Sequence, residues 1–226
     1  MSNQKVLKFK LSKKFGGIIY PSRKINLRQH LILQKLKKST KKRSNFSLQL
    51  QARQLLSYLY GKINTKYLLK LFQKSLKFHG KAGSNFLCFL ERRLDTVLCK
   101  LHFTPTFASA RQLITHGKIM VNNKTITKAT YLLKPGDIVS IDPKIKEQTT
   151  TNIKSFFKFQ ETIGTLRKSQ KSNKGSKFSM NKIFWYKSLH VEVNYKILQI
   201  IYLFSPQQAY YPISMDLDVI TKAFQR

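Results

Sequence analysis

Acidic residues are scarce: nine Asp and Glu stand against 43 Lys and Arg, and none precedes Glu91. The resulting net charge of +34 opposes compaction through self-repulsion until a polyanion neutralises it. Carboxylate chemistry is poorly served. Asp95 alone tempts a catalytic reading, and no second acid or histidine at a workable spacing accompanies it. No catalytic residue and no small-molecule substrate are therefore expected. The two cysteines, Cys88 and Cys99, cannot build a disulfide framework or a four-ligand metal site. They are read as small core residues. The five histidines stand at 30, 79, 102, 116 and 190, with no HxxxH or CxxH spacing. Neither a metal nor a cofactor is expected. No run approaches the roughly 18 apolar residues that span a bilayer, and the densest, Ile197 to Phe204, contains Gln199. A membrane role is not expected. Lys8, Lys10, Lys13 and Lys14 interrupt the first apolar window, so no signal peptide is expected. A chain made inside an organelle needs none.

What is present is an ordinary globular share of hydrophobic residues, 42%, on a strongly basic chain. That combination indicates a nucleic-acid partner ahead of an anionic membrane or an acidic protein. The charge from Lys5 to Lys81 is all of one sign, and this stretch is expected to lie on phosphates. Lys outnumbers Arg, and Ile, Asn, Phe and Tyr are plentiful. These residues share AT-rich codons, and an organellar genome is one source of such a bias.

The pattern along the chain suggests an α+β protein in five parts. Residues 1–45 read as an extended basic arm, broken at Gly16-Gly17 and Pro21. Residues 46–84 turn helical. Leu55, Leu56, Leu59 and Ile63 recur at three and four, as do Tyr67, Leu68, Leu71, Phe72 and Leu76. Arg53, Lys62, Lys66, Lys70 and Lys74 are expected outside. Residues 85–145 form a compact module. Ser84 is expected to cap a helix with a stripe of Phe86, Leu90, Leu94, Val97, Leu98 and Leu101. Thr106 is expected to cap a second, with Ala110, Leu113 and Ile114 inward and Gly117 ending it. The period then changes to two. Asn122-Asn123 suits a two-residue hairpin, and Lys134-Pro135-Gly136-Asp137 turns into a strand over Ile138–Ile141. Residues 146–183 read as a basic insert, partly disordered around Lys168 to Lys177. Residues 184–226 resume near Trp185, with strands at Val191–Asn194 and within Ile197–Phe204, a loop between Pro206 and Pro212, and a last short element.

Three blocks in the module carry a resemblance. They are Leu90-Glu91-Arg92-Arg93-Leu94-Asp95-Thr96-Val97, then Thr106 followed by Ala110-Arg111-Gln112-Leu113-Ile114-Thr115-His116-Gly117-Lys118-Ile119-Met120-Val121-Asn122, then Pro135-Gly136-Asp137-Ile138-Val139. In this order and spacing they resemble the RNA-binding module of the small-subunit ribosomal protein S-four family. Ser47–Leu76 upstream and Leu189–Asn194 downstream resemble that family's flanks, which make a helical domain into which the module is inserted. Some positions depart from the pattern. Phe107 stands where the family often has Arg, so a phosphate contact is lost and the ring either stacks on a base or packs inward. Asn123 stands where a hairpin Gly is common, and Gln208 about where Arg is usual. The cysteine cluster of some members is missing near the N-terminus.

The resemblance implies a structural constituent of the small ribosomal subunit that holds a multi-helix junction of small-subunit rRNA. It would support assembly and lie where mRNA enters, beside neighbouring ribosomal proteins. A mitochondrial ribosome is expected, with a plastid ribosome as the alternative. The same module occurs in pseudouridine synthases and small stress proteins, so an RNA-modifying enzyme or an RNA chaperone is the competing reading. The residues after Ile141 are too few and too basic for a catalytic domain. RNA contacts are expected from Arg92, Arg93, Thr106, Ser109, Arg111, Gln112, Thr115, His116, Lys118, Asn122, Lys124 and Arg53. Arg111 offers a planar fork for phosphate oxygens. A-form RNA hides its major groove, so shape and backbone would be read more than bases.

Overall fold

The computed structural model describes residues 4–15, 27–38, 44–171, 189–206 and 216–225. Gly16-Gly17, Pro21, Trp185, Gln208, Pro212 and the stretch 172–183 lie outside them. Helices α1 (Gln4–Phe15) and α2 (Leu27–Lys38) occupy much of the segment expected to be extended. Leu11 and Phe15, one turn apart, bury against Leu55 with Tyr58 and Leu59 beside them, while Lys10, Lys13 and Lys14 stay on the surface. Side chains at i and i+4 share one face of a helix, so these two meet the same neighbour. The surrounding lysines concealed that spacing in the sequence.

Helix α3 (Asn45–Leu59) is capped by Ser44, whose side chain accepts from the Ser47 N–H, and α4 (Thr65–Ser75) by Asn64, which accepts from Lys66. Both caps satisfy N–H groups that a helix start leaves without partners. Helix α5 (Ala82–Glu91) starts before Ser84, so this serine lies inside the helix and not at its cap. The stripe read as one helix is two. Between α5 and α6 (Leu94–Lys100), Arg93 is extended and forms a bridge with Leu132. The Leu94 N–H donates to Tyr131 O at 2.9 Å, and the Leu133 N–H to Arg92 O at 2.9 Å. A segment some forty residues away thus interrupts the helix, which no local signal announces.

Helix α7 (Phe107–Thr115) is followed by β1 (Ile119–Val121), β2 (Lys124–Thr125) and β3 (Ile138–Ile141). Asn122 and Asn123 both take positive φ, 50° and 62°, as a tight hairpin requires. Helix α8 (Lys146–Lys171) replaces the partly disordered insert expected over its length. It is seated by Thr149, Ile153 and Phe156 on one stripe. Thr149 and Ile153 are buried, Phe156 stacks on His102, and the Asn152 amide donates to Phe103 O at 3.3 Å. Strands β4 (Val191–Asn194) and β5 (Gln199–Tyr202) precede α9 (Leu217–Phe224). All strand pairs are antiparallel, in the order β2-β1-β3-β5-β4.

The α+β chain divides into two compact units. One comprises residues 91–206, and the other the segments 1–90 and 207–226. The C-terminal part expected to return wholly to the helices is therefore split: β4 and β5 complete the module's sheet, and α9 joins the helical unit. In the sheet-bearing unit, Leu94, Leu98, Phe103, Ile114, Ile119, Val139, Ile200 and Tyr202 share one core. In the helical unit, the rings of Phe72, Phe86 and Phe224 meet with centroids 5.2 to 5.7 Å apart. Gly83 allows this closure, since a Cβ there would stand 3.0 Å from Thr221. Cys88 and Cys99 are not joined in a disulfide and are half-buried, less enclosed than core residues.

His102 illustrates how α8 is coupled to the module. Its ring stacks on Phe156 with centroids 3.3 Å apart, and burial lowers its pKa from 6.5 to about 4. His190 is also lowered, first by burial. Both rings favour the neutral form in the fold, so the unfolded chain takes up protons first. The stability they contribute is intact above about pH 6.5 and is lost as pH falls towards the folded value. For His102 the expected loss is about 3 kcal/mol. Urea unfolding followed across that window should show a weaker pH dependence for His102→Asn, a residue that also tolerates this position's positive φ of 62°. An identical pH profile for the variant would refute the assignment.

Candidate nucleic-acid interface

Helix α7 is short and is held by Phe107, Ala110 and Ile114, all buried. Phe107 therefore packs inward, which resolves the two readings of that departure. Thr106 caps the helix by accepting from the Ser109 N–H at 3.2 Å. Gln112, Thr115 and His116 are exposed, and Ser109 and Arg111 half-buried. Thr115 donates its hydroxyl to Arg111 O at 2.8 Å. The helix ends at His116, and Gly117 at φ +66° turns the chain so that the Lys118 N–H reaches Leu113 O at 3.0 Å.

Arg111 is anchored from below. Its Nε donates to Asp95 Oδ2 at 2.8 Å, and 30% of its side chain remains exposed. Asp95 is fully buried and also accepts two bonds from Arg93, Nε to Oδ1 at 2.9 Å and NH2 to Oδ2 at 2.8 Å. One carboxylate thus neutralises an arginine inside the fold and orients another at its surface.

Several of the residues expected to touch RNA have partners inside the fold. Arg93 is buried with Asp95, which is a correction to its reading as an RNA contact: once the chain breaks at residue 93, its side chain points into the core. Arg92 donates from Nε to Leu133 O at 2.9 Å and pins the segment that makes that break. Asn122 is engaged in both directions, donating to Asp137 Oδ1 and accepting from the Ile138 N–H, each at 2.9 Å. It ties the hairpin to the Pro135-Gly136 turn, where Asp137 also accepts from the Lys134 N–H at 2.8 Å. Arg53 belongs to the other unit. It donates to Ala223 O and lies over the Phe224 ring, 5.4 Å from its centroid, so it clamps α9 and does not face outward.

Lys118 remains near the surface, with its Nζ 3.3 Å from Asp142 Oδ2. The Asp142 carboxyl is held below its ordinary pKa chiefly by the Lys144 N–H and then by Lys118. Lys124 is exposed on β2, and Lys128, Lys134, Lys144 and Lys146 are exposed as well. Lys128 and Lys134 fall in a stretch with no acid between Asp95 and Asp137, a signal that does not reach Lys144 and Lys146. Both of those framing carboxylates are buried. A surface of this kind can neutralise phosphates along a backbone and offers little for base reading. Among the described residues no group of His, Cys, Asp and Glu could hold a metal ion.

Comparisons with known proteins identify a domain and relatives of this chain. Residues 92–139 match the family model described as S4 domain. The chain is 33% identical over 215 residues to "Small ribosomal subunit protein uS4m" of Marchantia polymorpha, covering 94% of this chain and 97% of that protein. It is 36% identical over 149 residues to "Small ribosomal subunit protein uS4" of Novosphingobium aromaticivorans, 65% of this chain and 73% of that one. It is 42% identical over 143 residues to "Small ribosomal subunit protein uS4c" of Mesostigma viride, 62% and 69%.

Proposed function

Because the chain belongs to the small ribosomal subunit protein uS4 family, we propose that it is a structural constituent of an organellar small ribosomal subunit which binds small-subunit rRNA, and not an enzyme. The mitochondrial ribosome is its setting, in keeping with the uS4m relative that runs nearly the whole length of the chain. The contact surface runs from the exposed side of α7 through Lys118 to the hairpin at Lys124. Arg111, Gln112, Thr115, His116, Lys118 and Lys124 meet phosphate and ribose, with Thr106 and Ser109 holding the helix start. The rRNA partner is a folded multi-helix junction recognised by shape. Neighbouring ribosomal proteins and mRNA, where it enters the subunit, meet other faces.

The observation that carries this reading is the acid-free stretch between two buried carboxylates, with Asp95 directing an arginine to the surface. Replacing Arg111 and Lys118 together by Ala should weaken binding to a folded small-subunit rRNA fragment by about 10- to 100-fold near 0.1 M salt, the loss expected for two phosphate contacts. Filter binding or electrophoretic mobility would measure it. Unchanged affinity in the double variant would remove the proposed surface.

A further inference from the structure

Strands β3, β5 and β4 turn one face to the core of their unit, where Val139, Ile200, Tyr202 and Val191 pack. Successive residues of a strand alternate between faces, so the intervening residues point outward. They stand in two rows set by the register. One row runs Met120, Ser140, Gln199, Asn194 across the strands and is polar apart from Met120. The other runs Ile138, Ile201, Glu192. Leu203 follows Ile201 on the same side. Ile138, Ile201 and Leu203 are 44%, 42% and 44% exposed.

An antiparallel sheet with one solvated face ordinarily carries polar side chains there. The sheet departs from that pattern where β3 and β5 pair. Ile138 and Ile201 are direct cross-strand partners, which places their Cβ atoms about 5 Å apart. Exposed apolar side chains scattered singly need no explanation, whereas adjoining ones mark a contact surface.

The charge of this face selects what covers it. Neither row contains a lysine or arginine, although 43 of the 226 residues are basic. The one charged residue in the rows is the exposed Glu192. Phosphates of RNA therefore find no counter-charge here. An anionic bilayer surface asks for basic residues beside the apolar ones and finds none in either row. A second copy brings another net charge of +34 and is repelled by the first. The complement is a polypeptide segment with apolar side chains and one cation. Glu192 is the cross-strand partner of Ile201, so that cation must stand about 4.8 Å, one strand spacing, from the apolar contact.

We propose that the outward face of β3, β5 and β4 docks a neighbouring ribosomal protein. A segment of that protein lays apolar side chains on Ile138, Ile201 and Leu203 and sets a lysine or arginine against Glu192. This rests on the ribosomal setting proposed above and names a protein-binding surface within it.

The test uses the full chain assembled into organellar small subunits, with the photo-crosslinking residue p-benzoylphenylalanine in place of Leu203. Irradiation should join it to one ribosomal protein, within a peptide that carries apolar residues and a lysine or arginine. Adding Ile201→Lys should lower the yield of that adduct by about tenfold or more, because it sets a like charge against the partner's cation. The same substitution places opposite charges across β4 and β5, which supports the sheet. Its melting temperature and its affinity for a folded rRNA fragment should therefore equal or exceed those of the wild type, which separates lost docking from lost folding. An adduct on rRNA or on a second copy of the chain, no adduct on any protein, or an equal yield in Ile201→Lys overturns the docking surface while rRNA binding leaves the proposed function standing. A wild-type chain that neither binds the fragment nor enters small subunits overturns both.

Discussion

Raising the salt concentration from about 50 to about 200 mM is expected to weaken association of the full chain with a folded rRNA fragment by roughly 10³ to 10⁵, as for about 6 to 10 neutralised phosphates. The reason is counterion release. Each lysine or arginine that neutralises a phosphate frees a condensed cation, and the free-energy gain shrinks as bulk salt rises. The cations available for this are visible in both units, among them Lys66, Lys70 and Lys74 on one, and Arg111, Lys118, Lys124 and Lys128 on the other. Others are already committed and should not contribute. Lys100 donates to both oxygens of the buried Glu91 at 2.6 and 2.7 Å, Arg93 is closed in by Asp95, and Arg53 clamps α9. The same salt series should act in the opposite direction on the free protein, whose excess of 43 basic over nine acidic residues repels itself less when screened. Isothermal binding and thermal melts over one set of buffers measure both trends. An affinity that stays flat across the series is incompatible with recognition through phosphates.

Replacing Asp95 by Ala should cost about 3 to 5 kcal/mol of folding stability, the usual consequence of leaving a buried charge without its partner. Arg93 is 2% exposed and its guanidinium is bonded twice to this carboxylate. With the carboxylate gone, Arg93 must either remain charged in a low-dielectric interior or drag the chain out to reach water. Domains hold only about 5 to 15 kcal/mol in total, so the variant should unfold at a much lower urea concentration. Arg93→Met combined with Asp95→Leu should recover part of the loss, because replacing a whole buried pair by apolar residues is often neutral. Arg111 tolerates the double change, being partly in water already. Equal urea midpoints for wild type and Asp95→Ala would show that this carboxylate does not balance the core arginine. The variant has a functional corollary: Arg111 loses its anchor and should bind phosphate with a larger entropic cost, even where the module still folds.

Much of the module's local structure was legible because its signals are local. Thr106 as a cap, Gly117 at the helix end, paired asparagines with positive φ and the Pro135-Gly136 turn each depend on a few adjacent residues. Helix α7 and the β1–β2 hairpin consequently lie where their chemistry called for them. The errors share the opposite origin. The break at Arg93 is made by residues 131–133, and the inward turn of Arg53 depends on α9 arriving from the far end of the chain. Helix α1 was hidden because lysines surround the two side chains that seat it. Helix α8 begins in a sequence with little apolar content, and it holds through a stripe whose partners, His102 and Phe103, lie some fifty residues earlier.

The order of residues by itself determined the excess of positive charge, the family of the module and the local turns and caps. These depend on side-chain type and on neighbours within a helical turn or a hairpin. Only the tertiary structure decided which cations remain available to a partner and which are consumed inside, and that β4 and β5 complete the module's sheet while α9 closes the helical unit. Those outcomes are set by burial and by partners distant in the chain. An arginine is the same residue on paper whether a carboxylate from another turn neutralises it or the surface leaves it to phosphate.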